Sequence, residues 1–141
     1  MELSPVISLS LSEKDKIIQI LVDALHHRPE IVFSYIYGSF VELEQFRDVD
    51  VAIYYDEATA KQLDTLGYES KLSRELEKLI KLPVDVRVIN NAPMGFQYSV
   101  TCGKVLTSRD EEFRCSFVER VWGMYLDYEP SVKEFIRDMF P

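Results

Sequence analysis

Ile31-Val-Phe-Ser-Tyr-Ile-Tyr-Gly38-Ser39 and, after eight intervening residues, Asp48-Val49-Asp50-Val51-Ala52-Ile53 decide how this chain folds. The first stretch reads as a strand that ends at a Gly-Ser turn, the second as a strand that carries two aspartates. Asp is depleted in strands because its short polar side chain competes with the ladder for backbone partners, so two of them in a Val/Ile run call for a reason. Residues two apart in an extended chain point to one face, roughly 7 Å apart along the strand. Asp48 and Asp50 therefore share one side, and Val49, Val51, Ile53 and Tyr55 cover the other. Carboxylates held that close repel unless a cation lies between them, and an all-oxygen cluster suits Mg²⁺ or Mn²⁺.

A third acid arrives in a similar setting. In Pro83-Val84-Asp85-Val86-Arg87-Val88-Ile89 the valines alternate with Asp85 and Arg87. If this strand pairs beside the others with its valines inward, Asp85 lands on the face of Asp48 and Asp50; taken alone it also fits a surface pair with Arg87. The Gly-Ser turn adds contact with an anion. Gly38 lets the backbone bend and approach a ligand, and a short helix near Phe40 to Phe46 would point its first N–H groups and positive dipole end at a phosphate. The Ser39 hydroxyl can donate to a phosphate oxygen or cap that helix.

Gly38-Ser39, Asp48-x-Asp50 and the later Asp85 together resemble the signature of the nucleotidyltransferase superfamily built on the DNA polymerase β palm, in its minimal form. Downstream, Asn90-Asn91-Ala92-Pro93, Tyr98-Ser-Val, Gly103-Lys-Val-Leu, Ser108-Arg109-Asp110-Glu111 and Tyr125-Leu-Asp127-Tyr128 resemble the C-terminal half of MntA-type antitoxins of the HEPN/MNT (type VII) toxin–antitoxin systems. The likeness runs from Ile17 to the C-terminus. It implies an α+β palm, a small mixed sheet flanked by helices, with a C-terminal helical extension. It also implies an enzyme that uses ATP and Mg²⁺ to attach AMP to a tyrosine of a partner HEPN ribonuclease toxin and so silences it. Carried over residue by residue, Asp48, Asp50 and Asp85 are the catalytic and metal-holding set and Gly38 and Ser39 the nucleotide-binding set, with Arg47 a further nucleotide-binding candidate that the family pattern does not supply.

In one respect the chain departs from that pattern. The connector Phe40-Val-Glu-Leu-Glu-Gln-Phe46-Arg47 is shorter than usual and lacks glycine, and Arg47 stands where a small residue is customary. Arg47 either reaches a triphosphate as a cation or points into water. The chemistry implied is in-line attack of an acceptor oxygen on the α-phosphorus, with two metals about 4 Å apart clamping the attacking and leaving oxygens. Asp85, beside the second metal, would help remove the proton of a tyrosine acceptor. Two other readings stand beside this one: the same chemistry on a small alcohol, as in aminoglycoside-modifying relatives, and a binding-only antitoxin on a degenerate enzyme scaffold.

Composition bounds the rest. The 141 residues, 47% hydrophobic and 28% charged, suit one domain, with a core over about 12–92 and the helical extension over about 93–141. Neither a signal peptide nor an apolar run of membrane-spanning length is evident, so a cytoplasmic protein is expected. A net charge of −8 argues against direct nucleic-acid binding, which needs Lys and Arg to release counterions, and fits a basic protein partner and a merely solubilising acidic surface equally well. Cys102 and Cys115 have no metal-site spacing and are expected reduced and buried. His26 and His27 sit at a helix end, where they complement its dipole.

The remaining elements follow from periodicity and caps. Ser10 with Glu13, or Ser12 with Asp15, offers a capping box for a first helix with the stripe Ile17, Ile20, Leu21, Ala24 and Leu25, ending near Arg28. Strands are predicted over 31–37, 48–55 and 84–89. Asp56-Glu57 signals a helix start, and a helix over 68–81 carries Leu72, Leu76, Leu79 and Ile80, with Gly67 breaking or kinking the chain before it. A short helix begins at Pro93, an extended piece covers 104–106, and Ser108 with Glu111 opens a helix bearing Phe113, Phe117, Val121, Met124 and Tyr125. After Pro130 a last helix is expected around Val132, Phe135, Ile136 and Met139.

Overall fold

Both decisive stretches form strands. Ile31–Tyr37 and Val49–Tyr55 pair antiparallel, with Tyr37 opposite Asp50, in the computed structural model, which describes residues 5–128. In order along the chain the elements are β1 (Ile7–Ser8), α1 (Leu11–His26), β2 (Ile31–Tyr37), α2 (Ser39–Glu42), β3 (Gln45–Phe46), β4 (Val49–Tyr55), α3 (Glu57–Ala60), α4 (Thr65–Ile80), β5 (Val84–Val88), α5 (Met94–Thr101), β6 (Lys104–Ser108) and α6 (Glu111–Tyr128). The expected last helix around Val132 to Met139 lies outside the described residues.

The main sheet has the order β5-β4-β2-β6, antiparallel except for the parallel pair β4 and β5. Alternation along each strand sends its residues to two separate cores. Val49, Val51, Ile53, Val84 and Val86 join Leu21 and Leu25 of α1 and Leu72, Leu76 and Ile80 of α4 on one face. Phe33, Tyr35, Ala52 and Ile89 meet Val100 of α5 and Phe117 and Val121 of α6 on the other. The valine side of each acidic strand is thus the inward side, as the pattern required.

Several local expectations hold and several are corrected. Ser10 and Glu13 form the capping box of α1, Asp56 caps α3, and α5 opens after Pro93. Ile20 and Leu79, placed on apolar stripes by sequence, are 39% and 52% exposed. The buried face of α1 is centred on Ile17, Leu21 and Leu25 and takes in Ile18 and Val22 rather than Ile20. Gly67 does not interrupt the chain: α4 starts at Thr65, and the Gly67 N–H donates to the capping carboxylate of Asp64. Asp110, not Ser108, caps α6, accepting from Phe113 N–H at 3.0 Å, because Ser108 is the last residue of β6. Both cysteines are free but exposed rather than buried. Along α6, Phe117 and Val121 are buried while Phe113 and Met124 are 39% and 50% exposed. No helix among the described residues is long and apolar enough to cross a membrane.

The connector after the Gly-Ser turn departs most from expectation. In place of a helix reaching Phe46, α2 is a single turn, and Gln45 and Phe46 pair antiparallel with Ser8 and Ile7. Lys14 of α1 holds the end of that turn: its Nζ donates to the carbonyls of Phe40 at 2.7 Å and Leu43 at 2.8 Å, and it lies over the rings of Phe40 and Phe46. A cation at the carbonyl end of a helical turn satisfies orphan acceptors and complements the dipole.

Candidate active site

Gly38 and Asp50 are built around each other. Gly38 has φ +81°, the region that side chains rarely adopt, and a Cβ there would come within 2.5 Å of Asp50 Oδ2. The turn is therefore a glycine for two independent reasons, and its backbone forms one wall against which the Asp50 carboxylate rests. From this wall the chain enters α2 at Ser39, and the N–H groups of Val41 and Glu42 both donate to the Gly38 carbonyl at 3.1 Å.

Strand register then places the acids. Asp50 faces Tyr37 on β2 and Asp85 on β5, so the three side chains form a row across the sheet, on the face that farther along the strands buries Ala52 and Ile89. Asp48 lies one residue before β4, two before Asp50. The expectation that Asp85 shares their surface is met, and so is the duller one, since Arg87 Nε lies 3.3 Å from the Asp85 carboxylate. Like charges directly opposite in a sheet destabilise it. The Asp50 carboxyl is accordingly pushed up to about 7, by burial first and then by the negative charges of Asp48 and Asp85. The Tyr37 phenol is pushed well above its ordinary value by burial and by Asp50 and Asp85.

Two grooves flank this row. One, of about 730 Å³, is lined by Ser39, Phe46, Arg47 and Asp48 among others. The second, of about 490 Å³, is lined by Tyr37, Asp85, Arg87, Ala92, Pro93 and Phe96 among others. The structure thus brings Ser39, Arg47 and Asp48 together on one side and Asp85 on the other, with Gly38 and Asp50 between. Sequence reasoning missed Tyr37 and Phe96. The signal for Tyr37 was its place in the residue before Gly38, on the same strand face as the row.

A donor set of oxygens alone, with one member half-buried and unfavourably charged, fits a hard divalent cation. The three carboxylates do not close into a cage: among the described residues no group of three His, Cys, Asp or Glu side chains is gathered tightly enough to hold a metal ion by itself. An open set of this kind leaves coordination positions for phosphate oxygens, as hard cations at phosphoryl-transfer sites use.

The family model for polymerase β nucleotidyltransferases matches residues 15–112. The chain belongs to that family, and its fold is the α+β nucleotidyltransferase fold. No curated protein gives a significant match. Among solved structures, the toxin–antitoxin complex MntA–HepT matches with 20% identity and a TM-score of 0.58, over 94% of this chain and 100% of that one. A structure of the tri-AMPylated Shewanella oneidensis HEPN toxin in complex with MNT antitoxin matches with 21% identity and a TM-score of 0.58, over 92% and 98%. A toxin–antitoxin structure with AMP-PNP matches with 23% identity and a TM-score of 0.62, over 91% and 98%. At these identities the likeness is one of fold.

Proposed function

We propose that this nucleotidyltransferase is an antitoxin that transfers AMP from ATP to a tyrosine of a cognate HEPN-type ribonuclease toxin and thereby neutralises it. The observation that carries the reading is the mutual fit of Gly38 and Asp50, with Asp85 in register beside them. That fit supports the Gly-Ser and Asp-x-Asp elements as working parts of one site. The protein partner and the AMP product are suggested by the company the fold keeps, toxin–antitoxin complexes of which one contains an AMPylated toxin and another AMP-PNP.

On this reading the triphosphate lies in the groove of Ser39 and Arg47. Ser39 donates to a phosphate oxygen, and Arg47 offers a cation to the charge that accumulates on the leaving group. Asp48, Asp50 and Asp85 would hold Mg²⁺, which when bound neutralises phosphoryl oxygens and lowers the cost of an ionised acceptor. The acceptor's phenolic oxygen attacks the α-phosphorus in line. The new bond joins that oxygen to phosphorus, the bond from the α-phosphorus to the bridging oxygen breaks, and pyrophosphate carries the electron pair away. The phenolic proton passes to the Asp85 carboxylate, which is 42% exposed and can hand it to water.

The test uses α-labelled ATP, Mg²⁺, a cognate HEPN-type toxin, and the wild type against an Asp48→Asn/Asp50→Asn variant. Label on a toxin tyrosine with wild type and none with the variant is the expected result. Label only on a small alcohol would replace the protein acceptor with a small-molecule one, and full neutralisation by the variant would reduce the protein to a binding-only antitoxin.

A further inference from the structure

We infer that the groove walled by Tyr37 and Phe96 receives the ring of the acceptor, and that these two side chains select an aromatic hydroxyl over an aliphatic one. The inference rests on the proposed reaction for the identity of the occupant, and on the geometry for its place.

In-line displacement puts the entering oxygen and the leaving pyrophosphate on opposite sides of the phosphorus. The hydroxyl of Ser39 and the guanidinium of Arg47 line the groove on one side of the carboxylate row. A triphosphate leaving toward that groove requires attack from the other side, and the opening there is the second groove, of which Asp85 is a wall. Two aromatic rings stand in its wall, beside the charged side chains of Glu69 and Arg87. Tyr37 and Phe96 meet edge to face, with ring centroids 5.8 Å apart, and Ala92 and Pro93 continue the apolar rim. Aromatic rings in this arrangement leave a face and an edge for a third ring, whereas an aliphatic alcohol gains little from them.

The wall is also stiff. Gly103, just before β6, lies so close to the end of β2 that a Cβ there would come within 2.8 Å of Tyr37 Cβ and 2.3 Å of the Ile36 carbonyl oxygen, so the backbone that carries Tyr37 is held from behind. Phe96 sits on α5, whose Gln97 is buried and donates to the Ile89 carbonyl at 2.8 Å, tying the helix to the end of β5. Rigid aromatic walls beside a proton-accepting carboxylate form a seat for a phenol, with Asp85 at the end where its hydroxyl would lie.

The test is amide NMR on the isotope-labelled full chain saturated with AMP-PNP and Mg²⁺, titrated separately with N-acetyl-L-tyrosinamide and N-acetyl-L-serinamide. The tyrosine probe is expected to shift the amides of Ala92, Met94 and Phe96, and the serine probe to leave them in place. Phe96→Leu, which keeps an apolar side chain on a folded α5, should weaken the tyrosine probe about fivefold while calorimetric ATP affinity stays that of the wild type. Shifts confined to the rim around Leu43 to Arg47, equal response to both probes, or a Phe96→Leu protein that loses ATP affinity instead would overturn the inference; the last result would assign the groove to the nucleobase. These readouts involve no AMP transfer. A toxin that stays unlabelled while the tyrosine probe occupies the groove counts against the proposed reaction, and a labelled toxin with the probe elsewhere counts against the groove.

Discussion

Gly38 carries two constraints that no other residue type meets together, a positive φ and contact with the Asp50 carboxylate. Gly38→Ala is expected to cost about 1–3 kcal/mol of stability from backbone strain. The displaced carboxylate should lower the rate of nucleotidyl transfer by about a hundredfold, since misplacement of that size at a reacting centre has such effects. Urea denaturation and single-turnover kinetics read the two separately. Asp50 shows the opposite balance. Its carboxyl is pushed up to about 7 in the fold, from an ordinary 3.8. The folded state therefore binds a proton more readily than the unfolded chain, and without metal the protein loses stability as pH rises from the unfolded value through about 7, staying low above it. Asp50→Asn removes that loss. Its melting temperature should exceed that of wild type above neutral pH, by the equivalent of about 1–2 kcal/mol once solvent screening of a half-exposed group is allowed for. The gain should vanish toward pH 4. Adding Mg²⁺ should stabilise wild type selectively, because a ligand that binds only the folded state shifts the equilibrium toward it. Equal melting curves at pH 8 would show that the three acids do not strain the apo-protein.

At the scale of elements, α4 closes the open edge of the sheet with side chains. β5 is an edge strand, and its outward N–H groups at Val84, Val86 and Val88 donate to Glu77 Oε1, Ser73 Oγ and Glu69 Oε2 at 3.0, 3.0 and 2.8 Å. The match is geometric: four residues along a helix advance about 6 Å, close to the roughly 6.6 Å of two strand residues, so one helix face can follow every second N–H. Unpaired edges invite another strand, and this one is sealed without a further strand. Ser73→Ala leaves the Val86 N–H unpaired, and a stability loss of about 1–2 kcal/mol is expected by urea denaturation, with faster hydrogen exchange at Val86. Such a device is not legible in the sequence. Glu69, Ser73 and Glu77 read there as the polar side of an amphipathic helix, because nothing local reveals that a strand edge will lie beneath them. The strands themselves were legible, since alternation of apolar and polar residues is a local consequence of burying one face.

Considered whole, the molecule is a sheet covered on both faces, with the reacting groups at the end of one face that the helices leave open. α6 covers the rest of that face through Phe117, whose ring lies 5.2 Å from Phe33 and 5.6 Å from Tyr54. Phe117→Ala should cost about 3–5 kcal/mol, measured by chemical denaturation, as a large core truncation does. If instead the variant keeps wild-type stability, α6 is an appendage and not part of the core. The site was partly readable in advance: Gly38, Ser39, Asp48, Asp50 and Asp85 stand in the chain with the spacing and alternation that bring them together. Tyr37 and Phe96 were not, because their meeting joins β2 to a helix that follows three other strands.

Local pattern determined most strands and helices and which side of each strand faces inward, since each follows from periodicity and the chemistry of neighbouring side chains, whereas Asp85 came beside Asp50 only through the pairing of β5 with β4. Only the tertiary structure decided that Gln45 and Phe46 pair with Ile7 and Ser8, that Lys14 clamps α2, that 104–108 completes the sheet, and that the cysteines face solvent. Those features depend on contacts between residues far apart in the chain, whose free energy is gained only after the ends have been brought together, and no short stretch of sequence records them.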